Sequence, residues 1–490
     1  MKNLKNTSKR NLSFNPLVWL VSFISSVLML LIGSMNSPLY KINEWGDATT
    51  LFTVGRCIKH GRVLYRDVYE HKGFYYCFLH TIAAYISEYS YVGLYILEVI
   101  SFTVFLYFVY KIWRLYTDDN CVIFLPVWAL FVVSSLAFCQ GDSVEEFCLP
   151  LFTYSLYVML KYIKEKNLSS KTVSTWIMQG VLTGIVFWMK YVLCMYYIGI
   201  CVFILIYFVK RKEIGEVVKI AAFWAVGLIA SSIPAIVYFA VNNALSDLWH
   251  VYGYNLMFGY KPNKAGIGYV LLFIVLSLFV CILFLISGFI FKAMDIGSDE
   301  ENLLFRILNV ANIIYVLVFA WKEKYVLLCF MSVFAVWFLS YIKILDKVVD
   351  ISKHFKKLLV IFTFAAVALT FIISVNTSSI NKKRNSYVQY DFADIINKEE
   401  DKSLMVYRCQ ELGFYMTTKT IPTIKYINYY NIELDEINDT VDGYIKNKEV
   451  NFVITCEKKP DILLDNYDIV KEESYENLSE KKKYYLWKKK

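Results

Sequence analysis

Runs of apolar residues about as long as a bilayer is thick recur along the first three-quarters of this chain. A helix needs roughly 20 such residues to cross the hydrocarbon core. By that measure the sequence predicts spans at 14–34, 91–113, 121–139, 147–163, 173–189, 191–209, 217–241, 267–291, 303–320, 326–344 and 357–376. That is about eleven, at the length a span requires. In hydrocarbon every backbone N–H and C=O must be bonded within the protein, so such a chain folds as a helix bundle. The division at 173–209 is the weakest, because only Met189-Lys190-Tyr191 interrupts it. Composition agrees: 57% of residues are hydrophobic and 19% charged, against about 45–50% and about 25% in soluble domains.

The net charge of +9 does not point to nucleic acid, since no basic-aromatic module is present. Lys and Arg instead fall in alternate loops: "MKNLKNTSKR", "KIWR", "KYIKEKNLSSK", "KRKEIGEVVK", "FKAMDIGSDEENLLFR" and "KILDKVVDISKHFKK". The positive-inside bias then makes the N-terminus cytoplasmic. An odd number of spans puts the tail outside, together with the first long loop, 35–90. No small-residue cleavage site follows the first apolar run, so that run is read as an uncleaved helix. Most Cys lie in apolar runs, as at Cys194, Cys201, Cys281 and Cys329, and none has metal-ligand spacing. The five His are scattered and give no metal signature. Cys409 and Cys456 lie in the polar tail, where a pairing stays open.

The tail, 378–490, differs in kind. "SLMVY", "NFVITC" and "YYLWKK" read as strands, and "DFADIINKE" and "DTVDGYIKNKE" as helices. This alternation predicts a small α/β domain.

The loop between the first two long spans, "GDATTLFTVGRCIKHGRVLYRDVYEHKGF", concentrates charge beside the membrane. Asp47 opens a helical stretch that closes at Gly61, and as an N-cap it would be rigidly held. Leu51, Val54 and Ile58 share one face, with Thr50, Thr53 and Lys59 toward the other, as in a helix lying in the membrane interface. Tyr65, Arg66, Asp67, Glu70, His71 and Lys72 follow, and then an apolar stretch, 74–87, too short to span. That places charge where a lipid phosphate lies.

Other candidates lie at span ends. Asp142, Glu145 and Glu146 stand in "GDSVEEF", where acids also complement a helix N-terminus. Lys190 marks a turn. Glu98 is ionisable within apolar sequence, which marks a functional candidate, though a structural hydrogen bond toward 74–87 is an equal reading. "HVYGYNLMFGYKPNK", 250–264, reads first as an interfacial aromatic belt and second as a gate or sugar-contacting loop.

"GDATTLFTVGRCIKHGRVLYRDVYEHKGFYYCFLHTIA" resembles the first outer loop of the bacterial C-type (GT-C) glycosyltransferases related to protein mannosyltransferases. The pattern is carried by Asp47, Gly55, Arg56, Gly61, Tyr65, Asp67, His71, Lys72 and Gly73. Phe74 stands where that family usually has Pro, and Ala48 where many relatives have a second acid. "CQGDSVEEFCLPLF" and "FWMKYVLCMYY" resemble later outer segments, Glu98 a position often acidic in relatives, and "ELGFY" and "YYLWKK" a short terminal domain.

The resemblance implies an all-α polytopic membrane protein of GT-C type, residues 1–377, with a C-terminal extracytoplasmic α/β domain, 378–490. It implies a multi-pass protein of the bacterial plasma membrane that moves a sugar from a polyprenyl-phosphate donor to an envelope glycan, lipid or protein, with inversion. Asp47 would be the base, with Glu145 and Glu146 as further catalytic acids. Arg56, Lys72 and Lys190 would hold the donor phosphate, with Tyr65, Asp67, His71 and Glu98 around the substrate. No cofactor is specified, and a divalent ion near the acids stays open. The rivals are a lipid-linked glycan polymerase, which would need neither this loop nor the tail, and a flippase or transporter, which would show repeats and midplane charges.

Overall fold

The computed structural model describes residues 15–259, 296–319 and 323–490, apart from 412, 430, 431, 433, 477, 479 and 480. Of 260–295 it describes only 271, 275, 282, 286 and 289–294. The N-terminal basic run, most of the span at 267–291, Cys281 and the end of the Tyr-rich loop therefore lie outside the described residues.

Apolar length sets the helices. They are α1 (Pro16–Gly33), α2 (Gly46–Lys59), α3 (Phe74–Ile86), α4 (Val92–Arg114), α5 (Leu125–Val133), α6 (Val144–Lys164), α7 (Val173–Lys190), α8 (Met195–Lys210), α9 (Ile214–Val241), α10 (Asp299–Ile314), α11 (Met331–Val348) and α12 (Ile351–Ile373). Among the described residues seven helical stretches are long and apolar enough to cross a membrane, one of them the 38-residue run Val173–Lys210. The chain is a membrane protein of mainly helical build. Asn15 caps α1 by accepting a hydrogen bond from the Leu17 N–H (3.1 Å), and Pro16 sits where its missing N–H costs nothing. Ser298 and Glu301 form a capping box that starts α10.

The uncertain run at 173–209 is two helices. Lys190 leaves the helical conformation (φ −161°, ψ 98°), and a short 3-10 turn, Tyr191–Cys194, leads into α8. The packing register of α7 on α9 shows the reversal. A Cβ on Gly227 would stand 1.9 Å from the Ile177 carbonyl oxygen, and one on Gly180 1.9 Å from that of Trp224. Trp188 donates to Ser232 (2.9 Å) and Trp224 to Thr183 (2.9 Å). Residue numbers rise together on both helices, so α7 and α9 are parallel, and α8, which joins them in sequence, runs the opposite way. "GVLTG" on α7 faces "GLIAS" on α9, the small-residue spacing that lets membrane helices approach closely. Gly227→Leu is expected to lower the melting temperature in detergent, since forced overpacking costs about 1–3 kcal/mol or more. An unchanged melting curve would mean the pair yields freely.

The tail builds a four-stranded sheet of β1 (Leu404–Val406), β2 (Phe452–Cys456), β3 (Tyr467–Glu476) and β4 (Lys481–Lys489), in the order β1-β2-β4-β3. β1 runs parallel to β2, and the other pairs are antiparallel. Helices α13 (Val388–Ile396) and α14 (Asp435–Lys446) complete it, as the sequence predicts. β3 is the strand the sequence reading omits.

The tail also answers where α2 lies. Ile42, Phe52, Tyr91 and Leu94 share one buried cluster with Phe392, Val406, Phe414, Ile454 and Leu486 of the tail, and Cys409 and Cys456 pack in the same cluster. Thr49 donates to the Glu411 carbonyl (2.7 Å) and Arg56 to that of Tyr415 (2.9 Å). Helix α2 is therefore not half-exposed at an interface. Every residue from Gly46 to Cys57 is buried except Asp47, because the tail covers the side of Thr49, Phe52 and Arg56 and α3 the side of Gly55 and Lys59. Glu44 fastens the same junction: its carboxylate accepts from Ser379 (3.1 Å), Lys382 (2.7 Å) and the Leu478 N–H (3.0 Å).

Candidate functional site

The first loop leaves α1 and reaches the N-cap of α2 two residues earlier than Asp47. Trp45, not Asp47, is the N-cap, and Asp47 lies in the first turn. A carboxylate there complements the partial positive charge of the helix end. Ala48 is fully buried. A second acid in its place would be carried into the protein interior, which gives the departure from the family pattern a physical reason.

Beyond α2 the loop turns through Gly61 in the left-handed region (φ 84°). Tyr65 also has positive φ (68°), a conformation a non-glycine residue keeps only when its surroundings hold it. Here its N–H bonds the Val68 carbonyl (2.8 Å), its hydroxyl donates to the Lys72 carbonyl (2.7 Å), and its ring stacks on Phe239 at 5.2 Å. Asp67 accepts from the Val63 N–H (2.8 Å) and from Arg66 (2.9 Å). The Arg66 hydrogen bond holds this carboxyl below its ordinary range. Both side chains thus bond within the loop and shape it.

Glu70 sets the next turn. One oxygen accepts from the backbone N–H groups of His71 (2.9 Å) and Lys72 (3.0 Å), and the other from Asn428 of the tail (2.6 Å). Gly73 then donates to the Met189 carbonyl (3.0 Å), and a Cβ on it would stand 2.1 Å from the Trp188 carbonyl oxygen. Only glycine allows this approach. The contact sets Lys72 beside Lys190, residues 118 positions apart in sequence.

Two cation–carboxylate pairs result. Lys72 lies 3.5 Å from Asp47, and Lys190 lies 2.7 Å from Glu145. The side chains of Lys72, Asp47 and Lys190 are 13%, 22% and 19% exposed, while Glu145 is fully buried. Solvent thus reaches three of the four, and Glu145 stands behind Lys190 to hold it. Tyr315 donates to the same Glu145 oxygen (2.5 Å), and Lys190 also lies over the Tyr325 ring at 5.2 Å. The His71 ring nitrogen is 3.2 Å from the Lys72 ammonium. Burial, and then the charges of Lys72 and Lys190, hold His71 well below its ordinary range, so it is neutral and accepts from Lys72. Glu323, just before a short 3-10 turn, joins the group: it is exposed and close enough to Asp47, Lys190, Lys72 and Glu145 to feel their charges. The sequence reading passes over Glu323, whose only signal is an acid in the short outer link "WKEK".

The remaining acids lie deeper. Glu98 accepts from Ser34 (2.7 Å), Asn36 (3.1 Å) and the Asp142 N–H (2.8 Å). Glu146 accepts from the same Asp142 N–H (2.9 Å). Asp142 meets His80 at 2.9 Å, with both side chains fully buried. Gly141 (φ 86°) is required here, since a Cβ would lie 2.6 Å from a Glu98 oxygen. The structure places Glu98 and Glu146 under the cleft and away from Lys72 and Lys190, with Glu98 bonded to 34–36 and 142 rather than to 74–87. Arg56 is likewise away from Lys72 and Lys190. It is buried against the tail, over Tyr89 at 5.3 Å, and burial lowers its affinity for its proton.

Among the described residues no three His, Cys, Asp or Glu side chains are grouped as metal ligands.

No protein-family profile matches the chain, and no curated protein does. Among solved structures it is similar to ArnT from Cupriavidus metallidurans in the apo state, with TM-score 0.64 and 9% identity over 96% of this chain and 98% of that one. It is similar as well to ArnT from the same organism bound to undecaprenyl phosphate, with TM-score 0.63 and 9% identity over 97% of this chain and 98% of the other. The fold is thus shared with ArnT, a bundle of membrane-length helices followed by a small C-terminal sheet domain, as the sequence predicts.

Proposed function

We propose that the protein is a membrane glycosyltransferase that takes a sugar from a polyprenyl-phosphate donor and passes it to an acceptor outside the cytoplasm. The observation that carries this reading is the solvent-reached set Asp47, Lys72 and Lys190, two cations and a carboxylate joined by the Gly73–Met189 contact. That an ArnT structure contains undecaprenyl phosphate supports a lipid-phosphate donor for a chain of the same fold.

The chemistry follows from the charges. Lys72 and Lys190 bind the donor phosphate and stabilise it as it leaves. The acceptor hydroxyl attacks the anomeric carbon from the opposite face. Its proton passes to Asp47, the new C–O bond forms, and the bond to phosphate breaks with its electron pair on the phosphate oxygen. A single displacement inverts the anomeric centre and releases polyprenyl phosphate. Lys72 pairs with Asp47 across 3.5 Å, and neutral His71 steadies the Lys72 ammonium.

In this reading residues 1–377 form the transferase domain, with the N-terminus cytoplasmic. Loop 35–90 and the 378–490 domain lie outside, and the tail faces the acceptor, an envelope glycan, lipid or protein. Purified protein in detergent, given a panel of polyprenyl-phosphate sugars and an envelope acceptor fraction, should release polyprenyl phosphate with at least one donor. Lipid movement across vesicles without sugar release would favour the flippase instead.

A further inference from the structure

Helices α8 and α10 both reach from the cleft to the opposite end of the bundle, α8 running away from the cleft and α10 toward it. Helix α8 starts just after Lys190 and ends at Lys210. Helix α10 starts at Asp299 and ends just before Tyr315, which meets Lys190. At about 1.5 Å per residue each covers roughly 24 Å, most of a bilayer core. Their far ends enclose a cavity of about 370 Å³. Four cations line it: Lys210, Arg211, Lys292 and Arg306.

Several features distinguish this cavity from an ordinary basic loop. Its cations come from three separate segments and converge on one concavity. Asp299 and Glu300 also line it, yet among the described residues no ion pair joins either acid to any of the four cations. Those acids lie in the first turn of α10, where they complement the helix end. The cavity keeps a surplus of two positive charges. The Arg211 guanidinium lies over the Tyr207 ring at 4.2 Å, which orients its planar donors. Tyr207 and Leu303 give the wall an apolar part beside the cations.

We propose that this cavity binds the phosphate headgroup of an anionic membrane lipid, on the membrane face opposite the cleft. Two guanidinium groups suit phosphate, whose oxygens accept paired N–H donors. The apolar wall and the position at the helix ends suit a headgroup with acyl chains. The site is independent of the glycosyltransferase reading and stands or falls separately.

The test uses the full chain in a non-ionic detergent, titrated with dihexanoyl phosphatidylglycerol. Dihexanoyl phosphatidylcholine and inorganic phosphate serve as the other arms. Saturable binding of phosphatidylglycerol alone is expected, weakening as salt rises. The combined Lys210→Gln, Arg211→Gln, Lys292→Gln and Arg306→Gln variant should bind at least tenfold more weakly. A milder Arg211→Gln/Arg306→Gln variant gives the same reading if the fourfold change does not fold. A Lys72→Gln/Lys190→Gln variant should bind as tightly as wild type, which excludes the cleft as the source. Equal binding by wild type and the cavity variants would overturn the proposal. So would equal affinity for inorganic phosphate, which would make the ligand a soluble anion.

Discussion

Asp47→Asn loses between about 10² and 10⁴ of the sugar-transfer rate while its melting temperature stays near wild type. That range is what a positioned general base contributes. The change removes a proton acceptor and keeps the shape. Asp47 is partly exposed and its ion partner Lys72 lies 3.5 Å away, so little folding energy is at stake. Donor binding should persist, because both lysines remain. Single-turnover kinetics with the donor established in the panel reads the loss directly. A variant as fast as wild type would remove Asp47 as the base and move that role to Glu323, the other solvent-reached acid of the group.

The second large effect concerns stability. His80→Leu should lower the melting temperature sharply, with a cost of about 3–5 kcal/mol. His80 and Asp142 meet at 2.9 Å with neither side chain exposed. The other ring nitrogen of His80 donates to the Tyr76 carbonyl (2.9 Å), so a proton must lie between the ring and Asp142. Removing the ring leaves Asp142 buried without that partner, beside Glu98 and Glu146. The combined His80→Leu/Asp142→Asn variant should recover part of the loss, since asparagine carries no charge and tolerates the positive φ of this position. Thermal unfolding in detergent compares the three. A single variant as stable as wild type would show that the acids under the cleft share protons without the histidine.

The helices and the charged loop were legible because bilayer thickness dictates apolar length, and because Asp47, Lys72 and Gly73 stand in a patterned order. What joins them was not. The segments that carry Lys72 and Lys190 are joined by one backbone contact, Gly73 to Met189, that nothing local announces. Glu145 and Glu146 look equivalent in "SVEEF", yet consecutive helix residues point about 100° apart. One therefore turns to Lys190 and the other to Asp142. Helix α2 reads as amphipathic although one of its faces meets the tail, some 360 residues later, where Thr49 and Arg56 donate to backbone carbonyls. β3 escaped because its alternation is written in charges. Glu472 and Lys483 pair across the hairpin at 2.7 Å on an exposed face, so the strand lacks the apolar run that marks the others.

The central claim is that Lys72 and Lys190 hold a lipid phosphate. It is tested most directly by the affinity of purified protein for undecaprenyl phosphate, measured for wild type, Lys72→Gln and Lys190→Gln. Each lysine should be worth at least tenfold in affinity, because a charge-assisted contact contributes about 1.5–3 kcal/mol. Undiminished binding by both folded variants would contradict the account and place the phosphate elsewhere.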